Sequence, residues 1–304
     1  MIFRNKNFKT AFSLIEISLV VLIVGILISG VSLGVDLYND FKLTTARQLT
    51  INSRVGRIED LVAWYETTNQ NVFSKGEGTF EDLNKFEENQ AINRWKDSNP
   101  KTSYKIDATQ TATASQPTII FDKTTSLPIV RFESGKFLNL PDGTVPFGNQ
   151  AYTVIFVSKI DANCNCPVLT SGDGSVSPIN SNYFEYVIDN KIVNGWGAWL
   201  QGSWSFTKVI AINKFQIFSY TYDQSKINVY INKNYHTRAT GSLSARASLP
   251  TNNFIGKGLN RGSPYDLIGS IAEIIIFNRN LSNGEREDIE NYLSKKWSIK
   301  LGSK

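Results

Sequence analysis

The chain is poor in the residues that build compact chemical centres. It has one histidine, two cysteines and one methionine in 304 residues. That count excludes a Cys/His zinc site and a histidine-based catalytic triad. Proline is scarce too, nine in all, and none interrupts residues 12 to 65. Acidic residues are missing from the first eleven positions, which carry Arg4, Lys6 and Lys9. Lys and Arg number 32 against 27 Asp and Glu, a balance of +5, and setting those three cations aside leaves +2. The basicity is therefore a signal of membrane topology, and no nucleic-acid partner is expected. Between Ile17 and Val35 there is no ionisable residue at all.

What is present begins with that gap. Phe12, Leu14 and Ile15 extend it to about twenty-four apolar or small positions, roughly 36 Å of helix, enough to cross a bilayer with some tilt. Six stretches are expected: a basic leader (1–11), a transmembrane helix (12–36), an amphipathic stalk helix (37–68), a connection (69–91), a β-sandwich domain (92–299) and a tail (300–304). The cations ahead of the span hold the N-terminus in the cytoplasm, which places the span in the inner membrane and the rest on the periplasmic or extracellular side. No A-x-A cleavage site lies between Ser29 and Asn39, so the run reads as a retained anchor and not a removed signal peptide. Past it, Ile51, Val55, Ile58, Val62 and Tyr65 recur at 4, 3, 4, 3 spacing, which predicts one helix continuing to residue 65, about 80 Å long.

One acidic side chain, Glu16, stands inside the apolar run, where mid-membrane burial costs roughly 3 kcal/mol. The residues around it, Thr10-Ala11 followed by Phe12-Ser13-Leu14-Ile15-Glu16, resemble the N-terminal signature of type IV prepilins and type II secretion pseudopilins. The resemblance implies cleavage between Ala11 and Phe12 by a prepilin peptidase, methylation of the new amine, and partnership with other pilin or pseudopilin subunits and with membrane lipid. It departs from the family pattern at Ala11, where glycine is usual. It also implies a role for Glu16: its carboxylate meets the N-terminal amine of a neighbouring subunit, so the cost in the lone subunit drives polymerisation. The other reading of Glu16 is a residue at the headgroup boundary.

From Thr118 the pattern is strand after strand, among them "TIIF", "YTVIFVSKI", "FQIFSYTY", "KINVYIN" and "SIAEIIIFN", with Gly, Asn, Asp and Pro clusters between. Such spacing predicts an all-β sandwich. Residues 80–96 read as one short helix, and Ser282-Asn283-Gly284-Glu285 as a capping box opening a C-terminal helix. The stretch from about 92 to 299 resembles the concanavalin A-like lectin/glucanase superfamily in its laminin-G-like form. Trp95-Lys96-Asp97-Ser98, Leu127 to Phe132, "FIGKG" and "GSIAEIIIFNRNLSNGERE" carry that likeness. It implies a jelly roll of two antiparallel sheets with the C-terminal helix against one edge.

Glucanases of that superfamily place acid and nucleophile on one strand as E-x-D-x-E, since alternation turns all three carboxyls to one face. No such run occurs: Glu185 and Asp189 lack a third acid in phase, and Glu273 stands alone. No enzymatic activity is expected on that ground, and no catalytic residue is assigned. Cys164 and Cys166 read either as a strained short-loop disulfide or as two free thiols, and His236 as an exposed hairpin residue. No cofactor is called for, save a calcium ion at Asp161 and Asp173, against which stands the simpler reading of polar turns. Trp196, Trp199 and Trp204, with Tyr183 before them, form a glycan-binding candidate, because flat aromatic faces suit sugar rings; the competing reading is core filling.

The sequence thus reads as a membrane-anchored pilin-like or pseudopilin-like subunit presenting a binding head, with a glycan as candidate ligand. The alternatives are a membrane-tethered lectin that never polymerises and a tethered carbohydrate-active enzyme. A membrane peptidase must fit a small side chain beside the scissile bond. Ala11→Gly should therefore leave processing intact or faster, and Ala11→Lys should block it. Mass spectrometry of the mature N-terminus checks this, and mature protein from the lysine variant would defeat the assignment of the cut.

Overall fold

The computed structural model describes residues 14–76, 79–161, 167–172, 181–188, 191–197, 203–236, 251–259 and 266–302. Its first element, α1 (Leu14–Asn52), is an unbroken helix of 39 residues, about 58 Å long. The run Leu14–Val31 meets the length and apolarity of a membrane span, and none of it is buried against the rest of the chain. The large apolar side chains of that run are exposed, as are Val35 and Leu37 beyond it. Gly25, Gly30 and Gly34 have no neighbour within 4 Å of where a Cβ would stand. Nothing within the described chain uses the Gly-x-x-x-Gly surface. Lower down the helix docks: Ala46 and Thr50 are buried, and Leu43 and Leu49 pack against the head.

The helix stops earlier than its apolar periodicity predicts. Asn52, Ser53 and Gly56 are weak helix formers, and Ser53 N–H closes back on the Thr50 carbonyl at 3.2 Å. A short 3₁₀ turn at Val55–Arg57 follows, and Asp60 adopts a left-handed φ of 61°. The expected stalk helix to residue 68 is thus corrected: residues 61–66 form a strand. Val62 and Tyr65 belong to it, whereas Ile51 is exposed on α1. The periodicity was a mixture of three elements that all pack on one body.

That strand, β1 (Leu61–Glu66), precedes β2 (Phe73–Ser74), β3 (Gln90–Ala91), β4 (Arg94–Trp95) and β5 (Ala108–Thr109). Then come β6 (Thr118–Phe121), β7 (Pro128–Phe132), β8 (Leu138–Leu140), β9 (Tyr152–Ile160) and β10 (Leu169–Gly172). Next are β11 (Ser181–Ile188), β12 (Lys191–Gly197), β13 (Ser203–Val209) and β14 (Gln216–Tyr222). The last are β15 (Ile227–Ile231), β16 (Asn234–His236), β17 (Asn253–Ile255) and β18 (Gly269–Phe277), before helix α2 (Asn283–Trp297). The expected helix in 80–96 is a 3₁₀ turn at Leu83–Lys85 and two short strands. The sandwich therefore begins well before residue 92.

The strands form two antiparallel sheets. One runs β16-β15-β14-β9-β18-β7-β6-β3, and the other β13-β12-β11-β10-β17-β8-β5-β4-β2. Strand β18 lies against β9 on one side and divides its other edge: Gly269–Ile271 pair with β7, and Glu273–Phe277 pair with β1. Between the sheets lies a core with large buried aromatics, Trp95, Tyr65, Tyr152, Tyr220, Phe132, Phe156 and Phe184 among them. A second apolar layer covers the outer face of the first sheet beneath α2 and the end of α1. Ile289, Leu293 and Trp297, four residues apart, supply α2's buried stripe. The capping box predicted for α2 is present, and the Arg279 guanidinium donates to Glu285 at 2.6 and 3.0 Å. That hydrogen bond pulls the Glu285 carboxyl from 4.5 down to about 2.

Because β1 completes the edge of β18, a head cut at Phe80 lacks a strand of its main sheet. Such a fragment should aggregate on expression. One starting at Tyr38, which keeps the docked part of α1, should stay soluble and unfold cooperatively in denaturant. Cooperative unfolding of the Phe80 fragment would show that β1 is dispensable.

Candidate functional site

The antiparallel register of β1 and β18 sets Glu66 directly opposite Glu273. Like charges directly across a ladder repel, and both residues are fully buried. The cation that resolves this comes from the last turn of α2. Lys296 Nζ donates to Glu273 Oε2 at 2.9 Å and to Glu66 Oε2 at 3.1 Å, with both pairs wholly shut off from water.

Each carboxylate has further donors. Glu273 accepts from Trp64 Nε1 at 2.8 Å, Tyr292 OH at 2.7 Å and Trp297 Nε1 at 3.1 Å. Glu66 accepts from Thr68 N–H and Oγ1, both at 2.8 Å, and from Asn69 N–H at 3.0 Å. Tyr292 OH lies 3.2 Å from Thr50 Oγ1 of α1, and Arg47 Nε donates to the Thr68 carbonyl at 2.7 Å. The network therefore ties β1, β18, α2 and the foot of the long helix into one unit. Burial, reinforced by the charges of Glu273 and Glu66, pushes the Tyr292 hydroxyl well above 10. It stays a neutral donor at any physiological pH.

A second buried pair flanks the first. Arg286 Nη1 donates to Glu290 Oε2 at 2.5 Å, and Ser219 Oγ donates to Glu290 Oε1 at 2.7 Å. Burial raises the Glu290 carboxyl, while Arg286 and Ser219 act the other way. Elsewhere an open cleft of about 690 Å³ is lined by Phe215, Trp297, Lys123, Lys159, Lys214 and Lys300. Burial lowers the Lys159 ammonium there.

The residues singled out from the sequence are scattered relative to these features. Glu16 lies in the first turn of α1, in the exposed apolar stretch. Ala11, Phe12, Cys164, Cys166, Asp173, Asp189 and Trp199 fall outside the described residues. Trp196 pairs in register with Asn182, Trp204 with Asn194 and Tyr183 with Gly195, in the β11–β13 part of the second sheet. Glu185 is in β11 and His236 in β16, opposite Val229 and half-buried. Asp161 pairs with Arg131 and with Lys159 at 3.8 Å, so its charge already has partners other than calcium.

Glu273 is not alone, as the sequence pattern suggested, but the centre of a network. The missed signal was its place: a carboxylate in the middle of "SIAEIIIF" on a strand buried on both faces requires a partner.

No family model and no curated protein matches the chain. Solved structures similar to it include the Trypanosoma rangeli sialidase, at 14% identity and a TM-score of 0.48, covering 81% of this chain and 34% of that one. Domain 4 of AbnA, an extracellular arabinanase of Geobacillus stearothermophilus solved with arabinotriose, matches at 14% identity and a TM-score of 0.40, covering 76% and 98%. Botulinum neurotoxin type C, whose cell entry depends on two ganglioside molecules, matches at 12% and 0.48, covering 79% and 53%. The chain spans about a third of the sialidase's length, and at these identities the likeness is one of fold.

The expectation that the chain is not an enzyme does not stand, and enzymes, the sialidases, are among the structures similar to it. That exclusion rested on a missing E-x-D-x-E run. Sialidases attack with a tyrosine in place of the second carboxylate, so a search for paired acids on one strand does not exclude glycosidases as a class.

Removing the shared cation leaves two buried carboxylates face to face. Lys296→Met should destabilise the head by about 3–5 kcal/mol in denaturant unfolding, and adding Glu273→Gln should recover part of that loss. A single variant within about 1 kcal/mol of wild type would mean that the site admits water.

Proposed function

We propose that the chain is a pilin-like or pseudopilin-like subunit of a type IV pilus or type II secretion filament, held in the inner membrane with its β-sandwich head outside. The observation that carries the reading is the division of labour along α1. One helix without a break has a wholly exposed apolar first part and a second part docked through Leu43, Ala46 and Thr50. Such an element transmits axial force between a hydrocarbon-embedded array and a folded head. The leader sequence, the cut before Phe12 and the charge of Glu16 are its remaining components in this proposal.

The head is, in the same proposal, a concanavalin A-like jelly roll that binds a glycan. Two packed antiparallel sheets of nine strands each support the first part. The second takes its ligand class from the sialidase and the arabinanase domain, structures solved with sialic acid and arabinotriose. Prepilin peptidase and other pilin subunits are the partners this reading requires.

Glu16 provides the test. Glu16→Gln keeps size and removes charge, and Glu16→Leu also removes a membrane cost of roughly 3 kcal/mol. Both variants should insert and be cut before Phe12, yet be recruited poorly into filaments. Cross-linking in membranes carrying partner pilins measures this. Undiminished cross-linking of Glu16→Leu would sink the pairing with a neighbour's amine and favour a tethered, non-polymerising lectin.

A further inference from the structure

The hairpin of β15 and β16 forms an edge of the sheet that α2 covers. Tyr230 and Tyr235 are register partners across it, their ring centroids 5.3 Å apart with planes at 51°. Tyr235 is 44% exposed, whereas Tyr230 is clamped from behind. The Arg286 guanidinium lies 3.6 Å from the Tyr230 ring centroid and is itself buried and fixed by Glu290 at 2.5 Å. The pair is thus a preorganised aromatic platform with little rotamer freedom to lose.

Around this platform opens a cleft of about 530 Å³. Three amides line it: Asn228, Asn234 and Asn283. Asn234 is set by the close passage of the C-terminal segment. Gly302 N–H donates to the Asn232 carbonyl at 2.8 Å, and a Cβ on Gly302 would come within 2.0–2.3 Å of the Asn234 amide.

The charges of the cleft are unequally engaged. Lys233 pairs with Glu287 at 2.9 Å and Arg286 with Glu290. Lys226, 5.5 Å from the Tyr235 ring, has no ion pair among the described residues. Its neighbour Asp223 spends Oδ1 on Ser225 N–H, Ser225 Oγ and Lys226 N–H at 2.7–2.9 Å. The cleft therefore combines a flat apolar surface, three two-way hydrogen-bonding groups and one cation without a fixed counter-ion.

A pyranose has a C–H face that stacks on an aromatic ring, hydroxyls that both donate and accept, and, in an acidic sugar, one carboxylate. We propose that this cleft binds a saccharide carrying a carboxylate, stacked on Tyr235 with its acid on Lys226. The assignment rests on the glycan-binding part of the reading above and names its site and ligand class.

The full chain in lipid nanodiscs would be titrated with 3′-sialyllactose and trigalacturonate, and with lactose and galactotriose as neutral counterparts, by isothermal calorimetry. The acidic probe of at least one pair should bind at least about tenfold more tightly than the neutral one. Tyr235→Ala should lose about tenfold or more, while Tyr235→Phe, which keeps the stacking face and gives up only the hydroxyl's contacts with Asn228 and Lys226, should lose less. Lys226→Gln should bring the acidic probe down to the neutral one. The unfolding midpoints of all three variants are measured alongside, to separate lost contact from lost fold. Sugar binding that is indifferent to charge, to Tyr235→Ala or to Lys226→Gln would overturn this site and leave the glycan-binding head standing. No binding of any probe at millimolar concentration would overturn both, while subunit cross-linking through Glu16 continues to judge the filament reading by itself.

Discussion

The structure depends on one buried ammonium group. Glu66 and Glu273 face each other across a ladder in the interior, an arrangement that a sheet tolerates only when a cation sits between them. Lys296 supplies it from α2, and the tryptophan and tyrosine donors around it complete the carboxylate shells. Apolar side chains would pack this layer more cheaply, but they would not dictate which turn of α2 lies over which rung of the sheet. A charged lock has one register. Because Tyr292 also touches Thr50, that register extends to the long helix, whose angle of departure from the head is fixed by the same few atoms.

The long helix has two unlike parts. From Leu14 to Val31 it is apolar and unburied, and its glycines have no neighbour within 4 Å. Over its last part the contacts are few and specific: Leu43, Ala46, Leu49, Thr50 and Arg47. The head therefore grips the helix with a short stretch and leaves a long lever free, so small changes at the grip are large displacements at the far end.

The sandwich, the capping box of α2 and the apolar span were legible because each has a local signature: alternation, Ser282 three residues before Glu285, and absence of charge from 17 to 35. The end of the long helix was not. Val55, Ile58, Val62 and Tyr65 keep helical spacing while belonging to a turn and a strand, since what their positions share is burial on one body and not a common backbone. The buried network was half visible: Glu273 inside an apolar strand announces a missing partner, but Glu66 and Lys296 are distant in sequence and ordinary in context.

The divided edge of β18 has a consequence for the order in which the head can close. Its partners are β1, the first strand of the head and the one that follows the long helix, and β9, from the middle of the chain. Until β18 and α2 are made, β1 has no rung to join and Glu66 has no ammonium. In the anchored reading proposed above, the helix would sit in lipid while still mechanically disconnected from the sandwich. Long-range closure of this kind is slow, and here it makes β18 and α2 a completion signal: only a finished head becomes coupled to its own long helix.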